Sequence, residues 1–271
     1  MTASPETASF QGARRYVLDD ELADIVNISM ALEMPLLLKG EPGTGKTMLA
    51  YAIAEALKMP QIVLNVKSSM KLVDALYQYD TLTRLNDSRF GDSTRDVSNI
   101  ADYIRMGKIG QAFTAERRTV LLIDEIDKAD TDFQDDMLDV LDQMTFDIVE
   151  IDRTVQATHR PVIIITSNAK KDLSDPFLGR CNFHHIAFPD ASMMRQILKV
   201  HFPKIDQALM ESSIATFYRL RELPNVEKRP ATRELINWVR ALVTDEDFNP
   251  KRLDKGEVPF LGVLFKKSQD F

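Results

Sequence analysis

The chain has 271 residues, 28% of them charged and 44% hydrophobic, with a formal net charge of −7. That length can bury a substantial core, and the composition is that of an ordinary soluble globular protein without internal repeats or low-complexity tracts. The acidic balance argues against nucleic acid or an anionic membrane as the main partner, and a single cysteine, Cys181, excludes an internal disulfide framework and fits a reducing compartment.

Residues 1–12 are rich in Ala, Ser and Thr, lack the continuous apolar core of a signal peptide and read as a frayed tail. The longest apolar runs, at 36–38, 120–123 and 162–165, are too short to cross a bilayer, so no membrane insertion and a cytoplasmic setting are expected. From Asp19 to about Glu33, the positions of Leu22, Ile25, Val26 and Met30 predict a helix with Asp19 as its N-cap. Just before it, Tyr16 and Val17 are placed either to approach a bound base or simply to pack.

The apolar run Leu36-Leu37-Leu38 predicts a buried strand that breaks into Gly40, Glu41, Pro42, Gly43, Thr44, Gly45, Lys46 and Thr47, a fit to G-x-x-x-x-G-K-[ST]. A helical pattern follows from Met48, with Leu49, Ala52, Ile53, Ala56 and Leu57 on one face. A polyphosphate needs several backbone N–H donors converging on it, and Gly43 and Gly45 permit the angles that this takes. Lys46 supplies a point charge for the β- and γ-phosphates, the Thr47 hydroxyl a Mg²⁺ ligand, and the helix start the positive end of a dipole. The candidate nucleotide-binding set is therefore residues 40–48.

Residues 61–66 predict a second strand. The least regular part, about 67–116, contains an alternating stretch at 77–85 that reads as a hairpin-like surface insertion. The run 119–126 is β-branched and apolar, as in a strand covered on both faces of a parallel sheet, and carries Asp124 and Glu125 at its carboxyl end, where ligands bind in such sheets. Asp124 is the candidate Mg²⁺ ligand and Glu125 the candidate base for the attacking water.

A helix follows at about 130–144, apolar at Phe133, Met137, Val140, Leu141 and Met144 and acidic on its outer face. Residues 146–157 read as a β-hairpin and 162–166 as another buried strand ending in Ser167-Asn168, with Asn168 able to reach the γ-phosphate or the water. A short helix ends near Arg180, and 185–188 can form the fifth strand. Cys181, His184 and His185 offer three candidate metal ligands, but no fourth partner motif lies nearby and an alternating strand explains both histidines. From 190 the pattern is all-helical: Met194, Ile197, Leu198 and His201 line one helix, Ile214, Phe217, Tyr218 and Leu220 a second, and Leu235, Trp238, Val239 and Leu242 a third. Arg233, Asn237 and Arg240 share the polar face of the third.

In this order, the glycine loop, Leu121 to Glu125, Thr166-Ser167-Asn168, Arg180 and Arg233 resemble an AAA+ ATPase. The insertion, the hairpin before the Asn168 strand and the compact lid resemble the MoxR group within it. The resemblance implies a P-loop NTPase three-layer αβα core with a parallel five-stranded sheet at 16–189, a helical lid at 190–271 and a flexible tail at 1–15. It implies ATP and Mg²⁺ as ligands and Lys46, Glu125, Asn168, Arg180 and Arg233 as catalytic residues. In that comparison Asn168 is the sensor that places the water, Arg180 an arginine finger acting on a neighbouring subunit, and Arg233 a second sensor. Gly179 stands where relatives often have a second Arg, and the lid signature is altered to Arg229-Pro230-Ala231-Thr232-Arg233.

A ring, expected to be a hexamer, follows from the finger, and a chaperone-like role on a protein client, such as a metalloenzyme, with a von Willebrand factor A domain partner follows from the MoxR likeness. A nucleic-acid motor or loader is the second class. It is disfavoured because the 146–157 hairpin, expected at the pore, carries Asp147, Glu150 and Asp152 against Arg153, and an acidic pore repels phosphates. The third class is a non-hydrolysing nucleotide switch, against which Glu125 and Arg180 argue. A GTPase is disfavoured because residues 168–172 do not match the guanine-reading tetrad.

Overall fold

The computed structural model describes residues 9–14, 16–91, 95–168, 171, 173–224, 226–245 and 248–266. The tail at 1–8, part of the 168–172 stretch and the last residues of the expected lid lie outside the described residues. The chain divides into two compact units, one of Met1–Gln11, Asp19–Lys39 and Thr47–His185, the other of Gly12–Leu18, Gly40–Lys46 and Ile186–Phe271.

The first unit opens with α1 (Asp20–Ala31), whose N-cap Asp19 accepts from the Leu22 amide as the pattern predicts. The frayed tail does not extend to Phe10. That ring is buried, and its backbone N–H and C=O both pair with the Asn27 side chain, at 2.7 and 3.0 Å. Strand β1 (Leu36–Lys39), helix α2 (Lys46–Ala56) and strand β2 (Gln61–Asn65) follow. Leu49, Ala52 and Ile53 of α2 are buried, whereas Ala56, at its end, is exposed.

The 67–116 segment is more ordered than a surface hairpin. It forms α3 (Leu72–Leu76), β3 (Tyr77–Tyr79), α4 (Thr81–Phe90), β4 (Ile104–Met106) and α5 (Lys108–Phe113), with β3 and β4 antiparallel. The alternating stretch at 77–85 therefore splits into three strand residues and a helix. Asp80 caps that helix by accepting from the Thr83 amide, and Gly91 ends it at φ 64°. Ala75, Leu76, Tyr77, Ile109, Ala112 and Phe113 join the main apolar core, so the segment is partly an inward-facing layer.

The centre of the unit is β5 (Val120–Asp124), then α6 (Thr131–Gln143), β6 (Thr145–Ile148), β7 (Arg153–Gln156), β8 (Val162–Ser167), α7 (Asp175–Gly179) and β9 (Asn182–His185). Strands β6 and β7 form the expected hairpin, in which the Thr154 hydroxyl donates to Asp147 at 2.6 Å. The main sheet is five-stranded in the order β2-β5-β8-β1-β9, with every pairing parallel. The fifth strand lies three residues earlier than the pattern at 185–188 suggests, because Asn182 pairs with Leu36 in register. Strands β5 and β8 are buried along nearly their whole length, which is why their sequences are continuously apolar and their polar residues are confined to the carboxyl ends.

The second unit is helical: α8 (Ala191–His201), α9 (Gln207–Arg221), α10 (Thr232–Thr244), α11 (Lys251–Asp254) and α12 (Leu261–Leu264). Met194, Leu198, Ile214, Phe217, Leu235, Trp238, Val239 and Leu242 pack into one core, with the Trp238 indole N–H donating to Pro259 O at 2.7 Å. Arg233, Asn237 and Arg240 of α10 are exposed, as the helical spacing predicts. Among the described residues, no helix is long and apolar enough to cross a membrane.

Candidate functional site

The parallel sheet delivers Asp124, Glu125 and Asn168 to the ends of adjacent strands, β5 and β8. Thr166 and Thr47 fix Asp124. The Thr166 hydroxyl donates to Asp124 Oδ1 at 2.7 Å and the Thr47 hydroxyl to the same oxygen at 2.9 Å. Thr166 is 1% exposed, and its oxygen also accepts the Glu125 amide at 2.9 Å. One hydroxyl therefore ties both acids to the neighbouring strand.

Glu125 sits at φ 59°, ψ 52°, a left-handed conformation that a residue with a Cβ adopts at a cost of roughly 1–3 kcal/mol. Its Oε1 accepts from Asn168 Nδ2 at 2.8 Å, and its other carboxylate oxygen pairs with Lys128. That carboxylate holds the Lys128 ammonium above its ordinary range, chiefly through their hydrogen bond. The Asn168 amide is anchored to Asp127 Oδ1 at 3.3 Å. Asp127 is 2% exposed and was not singled out from sequence; its signal is a third acid three residues after Asp124.

The glycine loop belongs to the second unit. Gly43 and Gly45 have φ of 81° and 97°, and a Cβ at Gly43 would lie 2.4 Å from the Ala231 Cβ. The turn therefore needs glycine both for its dihedral angles and for space. Lys46, 5% exposed, donates from Nζ to Gly40 O and Glu41 O, each at 2.8 Å, and Thr44 Oγ1 donates to Glu41 O at 3.0 Å. Side chains thus hold the loop's carbonyls, the arrangement expected of a loop whose N–H groups are kept for an anion. Pro42 and Met48 are exposed. The Tyr16 ring lies against Gly45, with ring atoms 3.4 Å from where a Cβ would stand.

Arg180 caps the end of α7 and reaches back to α6, at 2.9 Å from Asp142 and 3.5 Å from Asp139. All three side chains are at least 41% exposed, so these pairs contribute little stability and exchange readily. Nearby Cys181 is buried, and burial, then the Asp142 charge, pushes its thiol up to about 12. It is a structural thiol, not a nucleophile. The α9 residue Arg221, absent from the sequence-derived set, donates from Nη2 to Glu41 Oε2 at 2.8 Å.

The donor sets fit the expected ligands. Thr47 Oγ1 and Asp124 Oδ1 are adjacent hard oxygens of the kind that bind Mg²⁺, and a buried ammonium beside positive-φ glycines suits a phosphate.

Residues 36–189 match the family described as "ATPase family associated with various cellular activities (AAA)". The chain is 26% identical to 26S proteasome regulatory subunit 10B of Dictyostelium discoideum over 66% of its own length and 41% of that protein's. It is 26% identical to the chaperone protein ClpB of Dichelobacter nodosus over 84% of its length and 25% of that protein's. It therefore spans less than half of these curated relatives. The solved structure of the Thermotoga maritima RuvB Holliday junction branch migration motor superposes with a TM-score of 0.54 at 17% identity, covering 88% of this chain and 68% of that one. At that identity the likeness concerns the fold alone.

Proposed function

This chain belongs to the AAA family of ATPases, and from that premise we propose that it works as a ring-forming remodelling factor that hydrolyses ATP to act on a protein client. The observation that carries the catalytic part is the shared anchoring of the two acids. Thr166 and Thr47 hold Asp124, while Asn168 holds Glu125, so that the two carboxylates are held in different settings, which supports giving them different roles.

In this reading residues 40–48 bind the triphosphate, with the Lys46 ammonium leaving the loop carbonyls for the β- and γ-oxygens. Thr47 and Asp124 would hold Mg²⁺, which neutralises phosphate charge when bound. Glu125 accepts a proton from the water whose oxygen bonds to the γ-phosphorus. The bond to the β–γ bridging oxygen breaks, giving ADP and phosphate. Asn168 restrains the Glu125 carboxylate and orients the water. Arg233, exposed near the start of α10, is the second sensor.

Arg180 acts on the γ-phosphate of a neighbouring subunit. Its support is placement, an exposed guanidinium whose pairs to Asp139 and Asp142 are exchangeable. A finger of this type accounts for ~10³–10⁵ in rate in related phosphoryl transfer. The finer assignments, MoxR type, a hexamer, a cytoplasmic setting, a von Willebrand factor A domain partner and a metalloenzyme client, rest on the resemblance described above. The mixing of two inactive variants tests the ring. Subunits carrying Arg180→Ala and subunits carrying Lys46→Ala, combined, should recover part of the ATPase rate. If rings form and the mixture stays as inactive as its components, Arg180 is not a finger.

A further inference from the structure

Arg221 closes α9 and is 9% exposed, an unusual place for a guanidinium unless its donors are engaged. Its Nη1 donates to Pro230 O at 2.6 Å, its Nη2 to Glu41 Oε2 at 2.8 Å, and its Cζ lies over the Phe188 ring, 3.6 Å from the centroid. These partners come from three separate places in the chain. Glu41 is the second residue of the phosphate loop, and its carbonyl receives both Lys46 Nζ and Thr44 Oγ1. Pro230 immediately precedes Ala231 and Thr232, which open α10, and Ala231 is the residue packed against Gly43.

The surroundings hold this cation in place. Phe188 stacks on Phe217 with centroids 6.3 Å apart, Phe217 meets Tyr218 edge to face, and the Tyr218 hydroxyl donates to Pro189 O. Burial, then the Asp190 charge, raises the Tyr218 phenol to about 12, so it remains a donor at neutral pH. A lysine could not reproduce the arrangement, because only the planar fork serves two acceptors while stacking on an aromatic face.

We propose that Arg221 is a positioning residue for the nucleotide: by joining the Glu41 carboxylate to the Pro230 carbonyl, it pre-organises the phosphate loop against the start of α10. The inference rests on the reading of residues 40–48 as the triphosphate site and deepens it. Without the joint, the Glu41 corner of the loop has more conformations to lose when phosphate binds, and affinity falls by that ordering cost. Nothing in the loop motif requires Glu41 to be acidic. The lid arginine does.

The test is a double-mutant cycle on ATP affinity, measured by calorimetry on the full chain. Glu41→Ala removes a half-exposed side chain and one partner of the joint. It should weaken ATP binding about tenfold, the scale of one charge-assisted hydrogen bond. Arg221→Ala should do at least as much, and the double variant no more than Arg221→Ala alone. Arg221→Lys, which keeps the charge, should recover less than half of the loss on a logarithmic scale and stands in if Arg221→Ala does not fold. ATP affinity within twofold of the unmodified protein in Glu41→Ala, or independent losses that multiply in the double variant, overturns the proposal. Lys46→Ala separates it from its premise: if that variant still binds ATP normally, the phosphate-site reading itself falls.

Discussion

The acidic strand ends and the glycine loop are held in place by opposite means. At the strand ends, side chains hold side chains: Thr166, Thr47 and Asn168 immobilise two carboxylates, that of Asp124 on the last residue of β5 and that of Glu125 just beyond it. In the loop, side chains hold the backbone: Lys46 and Thr44 occupy carbonyls of residues 40 and 41, and glycines supply angles that no sheet or helix provides. The difference sets what each region tolerates. A strand-end residue can lose a hydroxyl and keep its place, whereas a loop residue that gains one methyl group loses the turn.

The largest expected effect is at Lys46. Lys46→Ala removes the buried ammonium that pins two loop carbonyls, and ATP binding should fall below detection by calorimetry while the melting transition stays cooperative. Gly43→Ala comes next. The residue would be forced to φ 81° with its methyl group 2.4 Å from Ala231, a cost of roughly 2–4 kcal/mol. Chemical denaturation should show that loss together with weakened ATP binding.

Thr166→Val probes the strand-end strategy. It keeps the shape but leaves the Glu125 N–H without its partner. Stability should drop by about 1–3 kcal/mol, and kcat should fall about tenfold with ATP affinity nearly unchanged. The smallest effect is at Gly91, where φ is 64° and a Cβ meets nothing within 4 Å. Gly91→Ala should cost about 1–2 kcal/mol in denaturation and leave ATP binding and turnover alone. If Gly43→Ala were as mild as Gly91→Ala, the special role given to the loop's backbone would be wrong.

Much of this was legible because the sequence repeats physical rules locally. Runs such as 120–123 and 162–165 can be apolar throughout only if both faces are covered, which predicts a parallel sheet and puts polar residues at its carboxyl ends. The glycine loop announces itself for the same reason, since its angles exclude other residues. The misses have a different cause. In 77–85 the alternation of tyrosines and leucines outweighed two stronger signals, Asp80 as an N-cap and Gly91 as a stop, which the structure uses to make α4. Phe10 is one aromatic in a polar stretch, and the Asn27 side chain that anchors its backbone lies 17 residues on. Arg221 looks like any basic residue in the last turn of a helix. Its meaning depends on Glu41, 180 residues away, and no local pattern encodes that distance.

The central claim is that Glu125, held by Asn168 and Lys128, is the base for ATP hydrolysis. Single-turnover measurement of ATP cleavage by Glu125→Gln, with ATP affinity measured on the same sample, tests it most directly. Cleavage should slow by ~10²–10⁴-fold, with binding retained and ATP trapped on the protein. Cleavage at the unmodified rate would contradict the assignment and move the catalytic base elsewhere.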